Sequence, residues 1–457
     1  MNRLEKKKKQ NWTDPSLPLR KVVLWLAWPV IAQMLLQTLA QVVDMAMVGR
    51  LGEASIAAVG ISFRPVFVGM SIFLGLGTAT TALVSRATGA QKQGEAELAA
   101  SQSLMVGFIM SVAIAAFFFY GARGIAIFMG AEGGVVTQGT AYIKGFSPGM
   151  VFSWMTILAT ACLRGAGDTK TPFYVGIISN IVNVFGNYTF IFGHFGMPAL
   201  GVLGAAIGTS ISYVVGFGIL FVVLIKGSGG IYVSLSSLKR FDMDMIKRFF
   251  KIGIPSSAER LIQSLTMMFS TRIVASLGTT ALAVVTLSGN IEQVSFMPAI
   301  GFSIAAEALV GQNLGAKQSE RAEKSCLTAT KMAAGLMSFM GILFILLPEV
   351  FIRIYSSDPD ILAKGRVVLQ VVGISQLPQA IAFVIGGGLR GAGATPSVMK
   401  ISLIGNVVLR LGLTWLFIVH LGLGLWSVYV AVIIDWVFRS LLLGKMFFKG
   451  DWKSIEV

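Results

Sequence analysis

Gln33, Gln37, Gln41 and Asp44 stand four, four and three residues apart within an apolar run, so a helix carries them on one stripe. A carboxylate inside a membrane costs about 3 kcal/mol unless a proton, a cation or a base removes its charge. Ion binding is therefore the chemistry this stripe offers. Counted from Lys21 at ~1.5 Å per residue, Asp44 lies roughly 35 Å along the helix, which also suits a helix-end carboxylate already in water. The three glutamines favour the interior reading, because polar side chains are cheapest on a face turned away from lipid.

A second row, Asn180, Asn183 and Asn187, has the same helical spacing, with Tyr188 beside its last member. Its carbonyl oxygens suit a small cation or a protonated carboxyl. Asparagines also join helices by hydrogen bonds, and spacing does not separate the two roles. A third stripe, Glu259, Gln263, Thr266 and Ser270, repeats the pattern of the first. Near it fall Met267, Met268, Phe269, Phe296 and Met297, flexible thioethers and aromatic faces that suit flat lipophilic cations or, equally, lipid and core. Asn406, Arg410, Glu292 and Glu307 complete the polar set. Arg410 is a candidate counter-charge for a carboxylate of the second half, with its partner open. Asp435 and Arg439, one turn apart, read as an i,i+4 ion pair.

Enzymatic constellations are missing. No HExxH, GxSxG, Walker or Cys/His spacing occurs, and the chain has 2 His and 2 Cys. An ATPase domain is excluded, no cofactor is expected, and no metal is expected beyond a small cation at Asp44. Cys162 and Cys326 fall near cytoplasmic helix ends, where a disulfide is not expected, and read as packing residues.

The elements that must position these residues follow from composition. Of 457 residues 55% are hydrophobic and 13% charged, too few charges to cover a water-soluble domain. The apolar runs are long and contain glycine, unlike the short alternating segments of a barrel. An all-α polytopic membrane protein follows, with about twelve crossings at roughly 35 to 40 residues each. The net charge of +16 raises nucleic acid as a partner, but the basic residues gather at alternate turns: Lys6 to Lys9 with Arg20 and Lys21, then Arg86 and Lys92, Arg164 and Lys170, Lys226 to Arg248, Lys317 to Lys324, Arg390 and Lys400, and Lys445 to Lys453. That is the positive-inside pattern. It puts both termini in the cytoplasm and the intervening turns, near 50, 123, 196, 278, 353 and 421, outside. The first apolar run is too long for a cleaved signal peptide.

Pro29 and Pro255 differ by 226, as do Gly52 and Gly278, Gly75 and Gly301, Gly89 and Gly315, Arg164 and Arg390, and Asn180 and Asn406. LRGAGDT at 163–169 faces LRGAGAT at 389–395. The chain is a duplicated six-helix unit. An even number of crossings gives both copies one orientation, so a parallel repeat with two pseudo-twofold-related lobes is expected. The expected divisions are a tail at 1–21, an N-lobe at 22–225, a cytoplasmic linker at 226–247, a C-lobe at 248–445 and a tail at 446–457.

The run WPVIAQMLLQTLAQVVDMAMVGRLG, the LRGAGDTKTP turn and NYTFIFGHFGMPALGVLGAAIGTS resemble the multidrug and toxic compound extrusion (MATE) family, in its NorM-like branch, over nearly the whole chain. The resemblance implies a V-shaped two-lobe transporter of the cell membrane that exports lipophilic cations in exchange for Na+ or H+. It implies that Asp44 binds the coupling ion, with Asn180, Asn183 and Asn187 as its shell. Gln263 and Ala394 stand where the NorM-like branch carries a glutamate and an aspartate, so a second-lobe sodium site is not carried over. The expected substrate cavity takes Gln33, Gln37, Gln41, Glu259, Gln263, Met267 and Met297, with Pro29 and Pro255 as hinges. Partners are lipophilic cations and membrane lipids, with no nucleic acid and no second subunit required. A flippase for lipid-linked precursors is the alternative, disfavoured by the scarcity of intramembrane Arg and Lys in the first lobe.

Overall fold

A computed structural model of the chain describes residues 12–227, 230–234 and 236–456. The basic run Lys6 to Lys9 lies outside the described residues. Within them all regular structure is helical: α1 Leu19–Gly49, α2 Glu53–Gly89, α3 Gln93–Phe128, α4 Gly133–Gly165, α5 Lys170–Phe192 and α6 Val202–Lys226 in the first copy. The second copy has α7 Met243–Ala275, α8 Thr279–Gly315, α9 Ser319–Leu346, α10 Pro359–Gly391, α11 Thr395–His420 and α12 Trp426–Lys449, with a six-residue helix, Pro348–Arg353, ahead of α10. Among the described residues 11 helices are long and apolar enough to cross a membrane. The twelfth, α7, is 33 residues long but opens on Asp244, Lys247, Arg248 and Lys251.

Helix ends differ from the hydropathy boundaries. α1 starts at Leu19 rather than 22, α7 at Met243 rather than 248, and α12 runs to Lys449 rather than 445. The turn expected near 123 lies inside α3, which ends at Phe128. A helix satisfies its own backbone, so it continues past the apolar window into polar residues whose side chains reach water. The linker shrinks to the stretch between Lys226 and Met243, with a short 3-10 turn at Ser237–Lys239.

The duplication is legible in the backbone. Gly52 and Gly278, each before the second helix of its copy, have φ of 104° and 98°. Gly167 and Gly393 have 90° and 89°, a left-handed step that favours glycine. Gln91 and Lys317, also 226 apart, share φ of 58° and 59° at matching helix ends, where Lys92 N donates to Ala87 O and Gln318 N donates to Asn313 O.

Packing divides the described chain differently from the repeat. One compact unit holds Ala32–Ser257; the other holds residues 12–31 and 258–456. α1 and α7 thus each belong to both units, and each changes unit two residues after its proline, Pro29 or Pro255. In the first unit α4 packs on α2, α3 and α6, and α6 on α5; in the second, α10 packs on α8, α9 and α12. The exchanged segments are fixed by matching glycines. A Cβ on Gly75 would lie 2.3 Å from Ser257 N, and one on Gly301 would lie 2.4 Å from Ile31 Cγ1. Both pairs obey the 226 offset. Trp12, Val22, Leu26 and Ala27 join Phe302, Ala306 and Leu309 in the core of the second unit.

Both chain ends meet the start of α9. Arg321 donates to the carbonyls of Pro15 and Leu17, and Lys453 pairs with Glu323. Trp452 is fully buried and stacks on Phe447 with ring centres 4.9 Å apart.

Candidate ion and substrate sites

In the first unit the Asp44 carboxylate is brought against α5. Asn187 Nδ2 donates to Asp44 Oδ1 at 2.8 Å, a contact between residues 143 apart in sequence. Asn187 is buried, and its Oδ1 has no hydrogen-bond partner among the described residues. Room for that oxygen comes from Gly208 on α6, where a Cβ would lie 2.3 Å away. Asn183, one turn earlier, donates to Thr209 Oγ1 at 3.1 Å. Asn180 is half-buried and takes part in neither bond. The asparagine row therefore does two jobs: Asn187 faces the carboxylate, and Asn183 ties α5 to α6.

The glutamine stripe is also divided. Gln33 is nearly buried and accepts from Arg164 Nη2 at 3.0 Å, while Gln37 and Gln41 are exposed. Two tyrosines that spacing did not point to, Tyr142 on α4 and Tyr213 on α6, interact electrostatically with Asp44. Phe146 lies between them, 6.1 Å from each ring. A phenol in a span needs a polar partner, and that was the available signal for both.

The second unit carries an ion pair where the first has an amide. Glu259, at the Gln33 position, accepts from Arg390 Nη1 at 3.2 and 3.3 Å and from Ser402 Oγ at 2.8 Å. Arg390 corresponds to Arg164, and Ser402 to Gly176, whose Cβ would lie 3.5 Å from Gln33 Cγ. Ser402 is a site residue that spacing missed, since a lone serine in a span gives no signal. Gln263 is half-buried. Met267 is 72% exposed and Met297 only 2%, so of these two methionines Met297 presents no open surface. Asp435 and Arg439 form the expected pair, fully inside the unit, with Arg439 3.9 Å over the Trp436 ring. Arg410 acts electrostatically on Glu292. It lies in a π-helical stretch, Ile404–Gly412, a wound-out conformation often found at functional positions. Among the described residues no group of three or more His, Cys, Asp or Glu converges as metal ligands. Cys162 and Cys326 are buried free thiols.

The MatE family pattern matches residues 29–189 and again 255–416, once in each copy. A probable multidrug resistance protein NorM of Thermotoga maritima is 31% identical, covering 96% of this chain and 94% of that protein. An uncharacterized transporter YisQ of Bacillus subtilis is 28% identical over 93% and 94% of the two chains. In fold, the chain matches the outward-facing structure of a multidrug resistance MATE family transporter of the MOP superfamily, with a TM-score of 0.89 at 22% identity over 99% and 100% of the two chains. A MOP superfamily transporter from Pyrococcus furiosus gives the same TM-score, 0.89. With both halves matched and the relatives covered nearly end to end, this chain belongs to the MatE family of transporters.

Proposed function

We propose that the protein is a multidrug efflux antiporter that exports lipophilic cations across the cell membrane in exchange for Na+ or H+, with both termini cytoplasmic. The observation that carries this reading is the Asp44 and Asn187 pair. Asn187 donates a hydrogen bond to the carboxylate but brings no charge, and its own buried oxygen has no hydrogen-bond partner among the described residues. A carboxylate oxygen and an amide oxygen held together by packing fit a small cation, and equally a protonated carboxyl. Asp44, Asn187 and the electrostatically linked Tyr142 and Tyr213 would hold the ion, with Asn183 and Thr209 fixing α5 against α6.

Ion binding removes the charge penalty at Asp44 and favours a different packing of α1. Pro29 makes a bend cheap because it lacks the backbone N–H. Its position two residues before the change of unit supports the same role, and Pro255 is the matching hinge in α7. Drug release outward would follow this repacking. The test is efflux of a fluorescent lipophilic cation from proteoliposomes, wild type against Asp44→Asn, under a sodium gradient and separately under a pH gradient. Flux under one gradient, lost in the variant, names the coupling ion; efflux at the wild-type rate in Asp44→Asn would sink the assignment.

A further inference from the structure

The described part of the chain between α6 and α7 lies against the start of α3, within the first unit. Glu97 on α3 accepts from Ser234 N at 3.0 Å and from Ser237 Oγ at 2.7 Å. Gln102, fully buried, grips the backbone on both sides of Phe241: its Nε2 donates to Arg240 O, and its Oε1 accepts from Asp242 N at 3.2 Å. Phe241 itself is left 64% exposed. The first turns of α7 continue the pattern. Met245, Phe249 and Ile252 are buried, while Met243, Lys247, Lys251 and Ile254, spaced four, four and three, form an exposed stripe. A buried amide thus fixes an uncovered aromatic ring at the head of a stripe that mixes apolar and basic side chains.

The depth of this patch follows from α3. Gln102 stands about 14 Å along the helix from Gln93, and from Leu104 to Phe119 the helix has no charged residue. Phe241 is therefore held where polar chain gives way to apolar span, the level of lipid headgroups and their first methylenes. Charge at that level is one-sided. Asp242 is engaged in capping α7, accepting from Met245 N at 3.0 Å, Asp244 lies 3.9 Å from Lys247, and Arg248 pairs with Glu95. Arg240 and Lys251 are exposed and form no ion pair among the described residues. A soluble anion would meet these cations and leave Phe241 and Ile254 bare, and a neutral lipid would do the reverse. An anionic phospholipid satisfies both, its phosphate on the cations and its acyl chains along the apolar side chains.

We propose that Arg240, Phe241, Met243, Lys247 and Lys251 form a binding surface for an anionic phospholipid, at the junction of the α6–α7 connection with α7. This goes beyond the efflux reading and does not rest on it: lipid binding without drug flux would leave the surface standing. The probes are phosphatidylglycerol and phosphatidylcholine of identical acyl chains, added to the full-length protein in detergent, with lipid retention read by native mass spectrometry. The wild type should hold its first phosphatidylglycerol about 20-fold more tightly than phosphatidylcholine, and Arg240→Gln and Lys251→Gln should each lower that ratio about fivefold. Arg240→Lys should keep the ratio, and Phe241→Ser should weaken both lipids alike. Lys324→Gln removes an exposed lysine at the start of α9, in the second unit, and should leave the ratio unchanged. A variant that loses its fold would show it in the size-exclusion profile, and the pair Arg240→Lys and Lys324→Gln then decides: loss of the ratio in the first, or an equal fall in the second, overturns the site. A wild type with no preference between the lipids overturns it as well. Displacement of phosphatidylglycerol by excess inorganic phosphate would show a site for soluble anions and overturn the lipid assignment.

Discussion

Arg164 and Arg390 occupy the same place in the two copies, yet one donates to the amide of Gln33 and the other to the carboxylate of Glu259, with Ser402 added where the first copy has Gly176. The frame was duplicated and the charges were not. In the second unit Glu259 and Asp435 are each matched by an arginine, so their charge is balanced in place and offers little to a visiting ion. In the first unit Asp44 accepts from a neutral amide whose own oxygen is buried with no donor among the described residues. Equivalent architecture thus holds a carboxylate by an amide in the first unit and two carboxylates by arginines in the second.

Six substitutions would break or sharpen this contrast. The largest effect is expected from Asp44→Asn, which should lower gradient-driven efflux by about 100-fold or more with the fold retained, since it removes the charge to which an ion responds; proteoliposome flux and size-exclusion profiles check it. Next, Arg390→Ala should destabilise the protein by about 3–5 kcal/mol, because it leaves the Glu259 carboxylate buried without its counter-charge. Arg164→Ala should cost only about 1–2 kcal/mol, because the group left behind is an amide. Equal losses for the two arginines in SDS unfolding would contradict the contrast.

A second pair separates the proposed ion site from general packing. Gly208→Ala places a Cβ 2.3 Å from Asn187 Oδ1 and should displace that amide from Asp44, lowering coupled flux about tenfold. Gly204→Ala overpacks the same pair of helices against Phe190 O, also 2.3 Å away, and should cost about 1–3 kcal/mol of stability with less effect on coupling per unit of stability lost. The smallest effect is expected for Thr209→Val, which removes the partner of Asn183 and should lower stability by about 1 kcal/mol, read as a small drop in the thermal midpoint.

Much of the fold was legible in one dimension. Apolar length sets the number of crossings and the constant offset sets the duplication. Gly52 with Gly278, Gly167 with Gly393, and Gln91 with Lys317 show that the offset extends to individual backbone angles. The stripe reading identified Asp44, Asn183, Asn187, Gln33 and Glu259 as polar residues inside spans, since helical spacing alone places them on common faces. Spacing did not separate Gln33, which bonds to Arg164, from Gln37 and Gln41, which stay exposed, nor Met297 in the core from Met267 outside it. Tyr142 and Tyr213 escaped notice because a single phenol has no periodic signature.

The sequence by itself determined the membrane class, the twofold repeat, the alternating basic turns and the short set of intramembrane polar residues, because composition and spacing act along the chain. Tertiary structure alone decided the partners: Asn187 on Asp44, Arg390 and Ser402 on Glu259, and Gln379 on Glu292. It also decided that residues 12–31 pack with the second unit and residues 32–257 with the first. The physical reason is range. Helical periodicity relates residues a turn or two apart, whereas the Asp44 and Asn187 contact spans 143 residues and the Glu259 and Arg390 contact spans 131, contacts that only the packing of separate helices can make.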